Sequence, residues 1–168
     1  MILWNNKEFI EDEFINSLVE ELKNKPDCYN FEANYYSSYF THPNERPEIK
    51  LNNFYNSIIQ KASKDLSLYN RMQYVNEYWM QLYTKNGGVI DKHHHYSPNN
   101  IFSWVHFVKP TKEKCFYFLT PNKKIYPNQE EGEFIIFPSF ALHAVDVNMC
   151  DEDRVIMAGN VIVSNNTN

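Results

Sequence analysis

The chain has only 4 glycines among its 168 residues, so few backbone positions can take positive φ without strain. Any glycine inside a motif is therefore informative. Cysteine is also scarce: Cys28, Cys115 and Cys150 are widely spaced, odd in number and form no C-x-x-C pair. That argues against a disulfide framework and against a cysteine zinc site, and it fits a reducing, cytoplasmic setting. No run of about 18 apolar residues occurs, so no membrane span is expected. The N-terminal stretch MILWNNKEF has neither a basic region nor a long apolar run, so no signal peptide is expected. No basic stripe is present and the net charge is −5, which argues against a nucleic-acid partner. A small-molecule or peptidyl substrate is the better expectation.

Aromatic residues, in contrast, are plentiful, with 12 Tyr and 12 Phe. Such side chains pack well on a pleated surface and favour β structure. The length suits one compact domain over residues 1–168. Two textures divide it. Residues 1–72 read as a supporting layer of helix and loop. In KEFIEDEFINSLVEELKNKP, Ile10, Phe14, Leu18 and Leu22 recur every four positions, and Phe9, Ile15 and Val19 widen the stripe. This predicts an amphipathic helix capped by Asn6 and ended before Pro26. A second helix is expected over about residues 50–69, with Leu51, Phe54, Ile58 and Ala62 inward. The tyrosine-rich segment between them reads as an ordered surface loop, its aromatics packed under the helices in preference to walling a barrel mouth.

Residues 73–163 read as β structure. Seven short runs rich in β-branched and aromatic residues lie between Gly, Pro, Asn and Asp turn signals: MQYVNEYWMQLYT, GGVIDKHHHY, IFSWVHFVKP, KCFYFL, GEFIIFPS, LHAVDV and RVIMAGNVIV. Together these predict a mainly β fold with N-terminal helices, in the form of a sandwich or barrel with the helices packed on one sheet. The tail, residues 164–168, is expected to fray.

Five of the six histidines fall in the β half. Side chains alternate along a strand, so His93 and His95 point to one face and His94 to the other. Two imidazoles at i and i+2 can share a metal, and His143 on a later strand can complete the set. Imidazole suits Zn, Cu, Fe and Ni alike, so these ligands alone do not choose the metal. Asp91 shares the face of His93 and His95. It reads as a turn residue after Gly87-Gly88, or as a fourth ligand or orienting partner. Arg154 opens an apolar strand, where a charge is costly unless paired. It either lies in solvent at the barrel mouth or pairs with Asp151 or Asp153, or else it pairs with the carboxylate of a ligand.

The ordered series H-x-H, F-P-x-x-x-x-H and R, with Trp79, Tyr83, Gly87-Gly88 and Asn160 around it, resembles the iron(II)- and 2-oxoglutarate-dependent oxygenases. The likeness is to short phage- and bacterial-type members related to prolyl hydroxylases, and it covers about half the chain, Trp79 to Val163. It implies a double-stranded β-helix, a jelly-roll or cupin-like barrel. It implies iron(II) held by His93, His95 and His143, and 2-oxoglutarate bound by Arg154, with Tyr83, Ser103 and Asn160 as further contacts. It implies hydroxylation of a substrate with release of succinate and CO2. The chain departs from the family at one ligand, since His95 stands where an acid is usual. Other readings are a cupin-type metal protein (a thiol dioxygenase, an isomerase or a ligand-binding module), a three-histidine zinc hydrolase and a catalytically silent binding domain.

Overall fold

A computed structural model describes residues 1–68 and 74–163 of the chain. The expected frayed tail at 164–168 and the boundary placed at 72–73 lie outside the described residues.

The elements run in the order β1 (Trp4–Lys7), α1 (Asp12–Lys23), β2 (Tyr29–Asn30), β3 (Tyr35–Ser37), α2 (Asn52–Asp65), β4 (Tyr74–Tyr83), β5 (Ile90–His93), β6 (Asn100–Lys109), β7 (Phe116–Thr120), β8 (Lys123–Ile125), β9 (Glu133–Pro138), β10 (His143–Val145) and β11 (Arg154–Val163). A seven-stranded sheet has the order β1-β9-β6-β11-β4-β3-β2, and a four-stranded sheet has the order β5-β10-β7-β8. All neighbours pair antiparallel. Strands β4–β11 divide four and four between the two sheets, which is the double-stranded β-helix.

Alternation along the long strands separates two cores. Tyr78, Met80 and Leu82 of β4, Trp104 of β6 and Val155 and Met157 of β11 face the helices. Trp79 and Tyr83 of β4, Val105 and Phe107 of β6 and Ile156 and Ala158 of β11 face the second sheet. The helices lie on the large sheet through Ile15, Leu18 and Leu22 of α1 and Tyr55, Ile58 and Ile59 of α2. Burying each aliphatic side chain of this face contributes roughly 1.5–3 kcal/mol.

The N-terminal part differs from the expectation in two ways. Asn6 does not cap α1. It sits in β1 opposite Phe134, because the edge of β9 offers Trp4–Lys7 a row of backbone partners. Glu11 precedes the helix without a side-chain cap, and Pro26 follows it as expected. The tyrosine-rich segment is also not a plain loop, since β3 extends the large sheet beside β4. Its side chains alternate: Tyr36 packs with the helices, whereas Tyr35 enters the core between the sheets. The expected packing of these aromatics under the helices therefore holds for only part of the segment.

One buried histidine outside the expected site contributes to the loss of stability in acid. His106 is fully buried on the helix side of β6. Its Nε2–H donates to the carbonyl of Glu8 at 2.8 Å, and its Nδ1 accepts from the Tyr55 hydroxyl at 2.9 Å. Both contacts suit the neutral ring, and burial pushes its pKa down from 6.5 to about 4. Below pH 6.5 the unfolded chain takes up a proton that the folded chain refuses. Stability is therefore lost as pH falls toward 4, by about 3 kcal/mol from this group. Urea unfolding at pH 7 and pH 4 should show that loss reduced by a similar amount in His106→Gln, which keeps a donor and an acceptor but does not titrate. Equal losses in the two proteins would remove His106 from this role.

Candidate metal centre

Strand β10 pairs with β5 so that His143 lies opposite His93, and a register shift follows between His143 and Val145. β5 ends at His93, so His95 is held by other means. Its backbone N–H donates to the Ser139 carbonyl at 2.9 Å, and its own carbonyl accepts from the Asn100 side chain at 2.7 Å. Ser139 in turn donates its hydroxyl to the Asn100 carbonyl at 2.6 Å. The three imidazoles converge as expected, with potential ligand atoms within 4.8 Å of one another. His94 is exposed and only accepts a local hydrogen bond from the backbone of Tyr96.

The tautomers follow from the partners. Nδ1 of His93 meets the carbonyl of Asp91 at 2.8 Å, and Nδ1 of His143 meets the carbonyl of Ala141 at 2.8 Å. A carbonyl can only accept, so each Nδ1 carries the proton and each Nε2 keeps its lone pair for a metal. Burial, reinforced by the neighbouring His93, pushes the pKa of His143 down to about 3 and that of His95 to about 4. Neutral rings are the form that ligates. Asp91 orients His93 through its backbone, and its exposed carboxylate is outside the three-histidine cluster.

The histidines open on a cavity of about 340 Å³ between the sheets. Trp79 and Gln81 of β4, Ile156, Ala158 and Asn160 of β11 and Tyr35, Tyr39 and Phe40 of the N-terminal segment line it. The structure thus recruits Gln81 and the N-terminal aromatics, which the motifs did not mark. Only the row 79-81-83 on one face of β4 pointed to Gln81. Asn160 borders the cavity and accepts from the Ser103 hydroxyl at 2.8 Å, whereas Ser103 itself is behind it.

Arg154 continues the inward row Asn160-Ala158-Ile156 of β11, one strand repeat of about 6.6 Å beyond Ile156. It is 1 % exposed, and its Nε, Nη1 and Nη2 have no hydrogen-bond partner among the described residues. Neither expected acid reaches it: Asp151 pairs with Lys85, and Asp153 pairs with Lys23 at 3.3 Å. The guanidinium carbon lies 4.1 Å from the centre of the Tyr83 ring, its cross-strand neighbour. The Tyr83 hydroxyl donates to Gln81 Oε1 at 2.7 Å, and burial pushes its pKa up. Gly88 has φ +90°, and any Cβ there would overlap the Tyr83 ring. Gly88 is therefore needed for close approach to the residue beneath Arg154, whereas a Cβ at Gly87 would overlap the Asn34 backbone.

No protein-family model matches the chain, and no curated protein does. Solved structures do. A prolyl-4-hydroxylase of Pseudomonas putida superposes with a TM-score of 0.65 at 12% identity, over 95% of this chain and 91% of that one. A 2OG-Fe(II) oxygenase-family oxidoreductase of Burkholderia pseudomallei gives 0.65 at 12%, over 94% and 82%. A prolyl hydroxylase of Trichoplax adhaerens, in complex with a hypoxia inducible factor peptide fragment, gives 0.63 at 11%, over 95% and 82%. The chain shares the fold of these oxygenases.

Proposed function

We propose that this protein is an iron(II)- and 2-oxoglutarate-dependent oxygenase that hydroxylates a small-molecule or peptidyl substrate. The observation that carries the proposal is Arg154, a buried guanidinium with no hydrogen-bond partner among the described residues, one step beyond the residues Ile156, Ala158 and Asn160 by which β11 lines the histidine cavity. Buried charges are ordinarily paired, so this one fits a ligand carboxylate. A three-histidine zinc hydrolase has no use for it.

The donor set fits a first-row divalent metal. Three neutral imidazole nitrogens supply His93, His95 and His143 as ligands and leave further coordination positions open. When bound, iron(II) and 2-oxoglutarate supply the O2-dependent oxidation that yields succinate, CO2 and a hydroxylated substrate. The chain's own groups hold and orient. Arg154 grips the distal carboxylate of the cosubstrate in a charge-assisted fork. Tyr83 adds its hydroxyl to that carboxylate by turning from Gln81. Asn160, backed by Ser103, offers an amide to the cavity. His95 in place of a carboxylate leaves the centre one charge more positive, which favours a dianionic cosubstrate.

Anaerobic addition of iron(II) and 2-oxoglutarate should produce a weak visible charge-transfer band that neither produces alone. Absence of the band, together with no uncoupled succinate under air, would remove the oxygenase reading.

A further inference from the structure

The mouth of the cavity has a composition that the metal centre does not explain. Glu77, two residues before Trp79 on the inward row of β4, is the one charged residue lining the cavity among the described residues. Beside it stand aromatic rings at steep mutual angles. Tyr39 meets Trp79 at 5.1 Å and 69°, and Phe40 at 6.0 Å and 82°. Tyr39 is 55 % exposed and Phe40 46 %, although both belong to a segment whose neighbours Tyr35 and Ser38 are buried. The Trp79 ring lies 5.9 Å from that of His95, so this wall adjoins the metal ligands directly.

A carboxylate beside aromatic rings that line the same cavity suits one chemical class. Ring faces attract cations and do not attract carboxylates, and the single acid carries the opposite charge. Arg46 makes one long ion pair with Glu77, at 3.9 Å, on the side of a neighbouring cavity that both residues line, and donates a shorter hydrogen bond to the Tyr78 carbonyl at 2.6 Å. The Glu77 carboxylate therefore borders both cavities and is only loosely held by Arg46.

We infer that the cavity mouth recognises a substrate bearing an alkylammonium or guanidinium head, held between the Glu77 carboxylate and the rings of Tyr39 and Trp79. This deepens the oxygenase reading by naming the substrate class of that site. Along a strand, Glu77 and Trp79 are about 6.6 Å apart, so the head sits a few carbons from the position facing the histidines. Lysyl and arginyl side chains and free alkylamines share this chemistry.

The test is binding, read by tryptophan fluorescence and by NMR line shifts on the full chain. It is run anaerobically with iron(II) and 2-oxoglutarate, and again without either. N-acetyl-lysine amide should bind about tenfold more tightly than its neutral isostere N-acetyl-norleucine amide, the sum of a cation–π and an ion-pair gain. Glu77→Gln should weaken the lysine probe about fivefold and leave norleucine unchanged. Tyr39→Leu, at an exposed position that folding tolerates, should do the same by about threefold. n-Butylammonium binding would point to free amines, and its failure beside the lysine probe to peptidyl lysine. Equal affinity for lysine and norleucine, or an unchanged lysine affinity in both variants, overturns the inference. Cation selectivity without the charge-transfer band would sink the oxygenase reading alone, and the band without selectivity would sink this inference alone.

Discussion

Replacing Arg154 with methionine should abolish saturable 2-oxoglutarate binding and, at the same time, stabilise the metal-free protein. The two effects have one cause. Arg154 is 1 % exposed, and none of its three guanidinium nitrogens has an acceptor among the described residues. An unpaired buried charge costs several kcal/mol, whereas the Tyr83 ring beneath it returns about 2 kcal/mol. Desolvation wins, so a side chain of similar length without charge should raise the melting temperature by at least about 2–4 °C. The ligand arm has the opposite sign. Truncating one partner of a buried charge pair costs about 2–5 kcal/mol, or roughly 30-fold to several-thousand-fold in affinity. Calorimetry with 2-oxoglutarate and a chelator competition for metal separate the two. If metal affinity falls as far as cosubstrate affinity, or if the metal-free variant melts lower, Arg154 is a structural residue.

The second large effect concerns the imidazoles. Alanine at His93, His95 or His143 should each lower metal affinity by more than the 10–100-fold typical of groups that merely orient a ligand. His94→Ala should change it by less than about twofold, because that ring is exposed and outside the cluster. The three variants should also lose the thermal stabilisation that added metal gives the wild-type protein, about 2.7 kcal/mol at a hundredfold excess over Kd. Competition against a chromophoric chelator reads the affinities. A His94→Ala defect as deep as that of His95→Ala would mean that the chain crosses the site one residue out of register.

The elements that were legible in the sequence are those whose pattern is local. The four-residue spacing Phe14-Leu18-Leu22 locates α1, and the runs from Tyr74 onward locate seven of the eight strands of the β-helix. β8 escaped notice because Lys123–Ile125 is a three-residue exposed edge with no apolar alternation. β1 and β3 escaped because their strand character comes from partners far away, β9 and β4. Asn6 has the chemistry of a helix cap, yet the free edge of β9 outbid α1 for it. At the site, the motifs named the three histidines and Arg154. Ser139 and Asn100, which hold the backbone of His95, have no signature of their own.

The sequence by itself determined which histidine stands apart, because alternation is a property of any extended backbone and His94 differs from its neighbours by one step. It also determined which faces of the helices are apolar. Only the tertiary structure decided that Arg154 is without an acid, since Asp151 and Asp153 lie beside it in sequence yet are drawn to Lys85 and Lys23. Only the tertiary structure brought Tyr39 and Glu77 to the cavity that holds the histidines. The reason is the same in both cases. Charge pairing and cavity walls depend on which distant strands come to lie side by side, and that is settled by the packing of two sheets and two helices together.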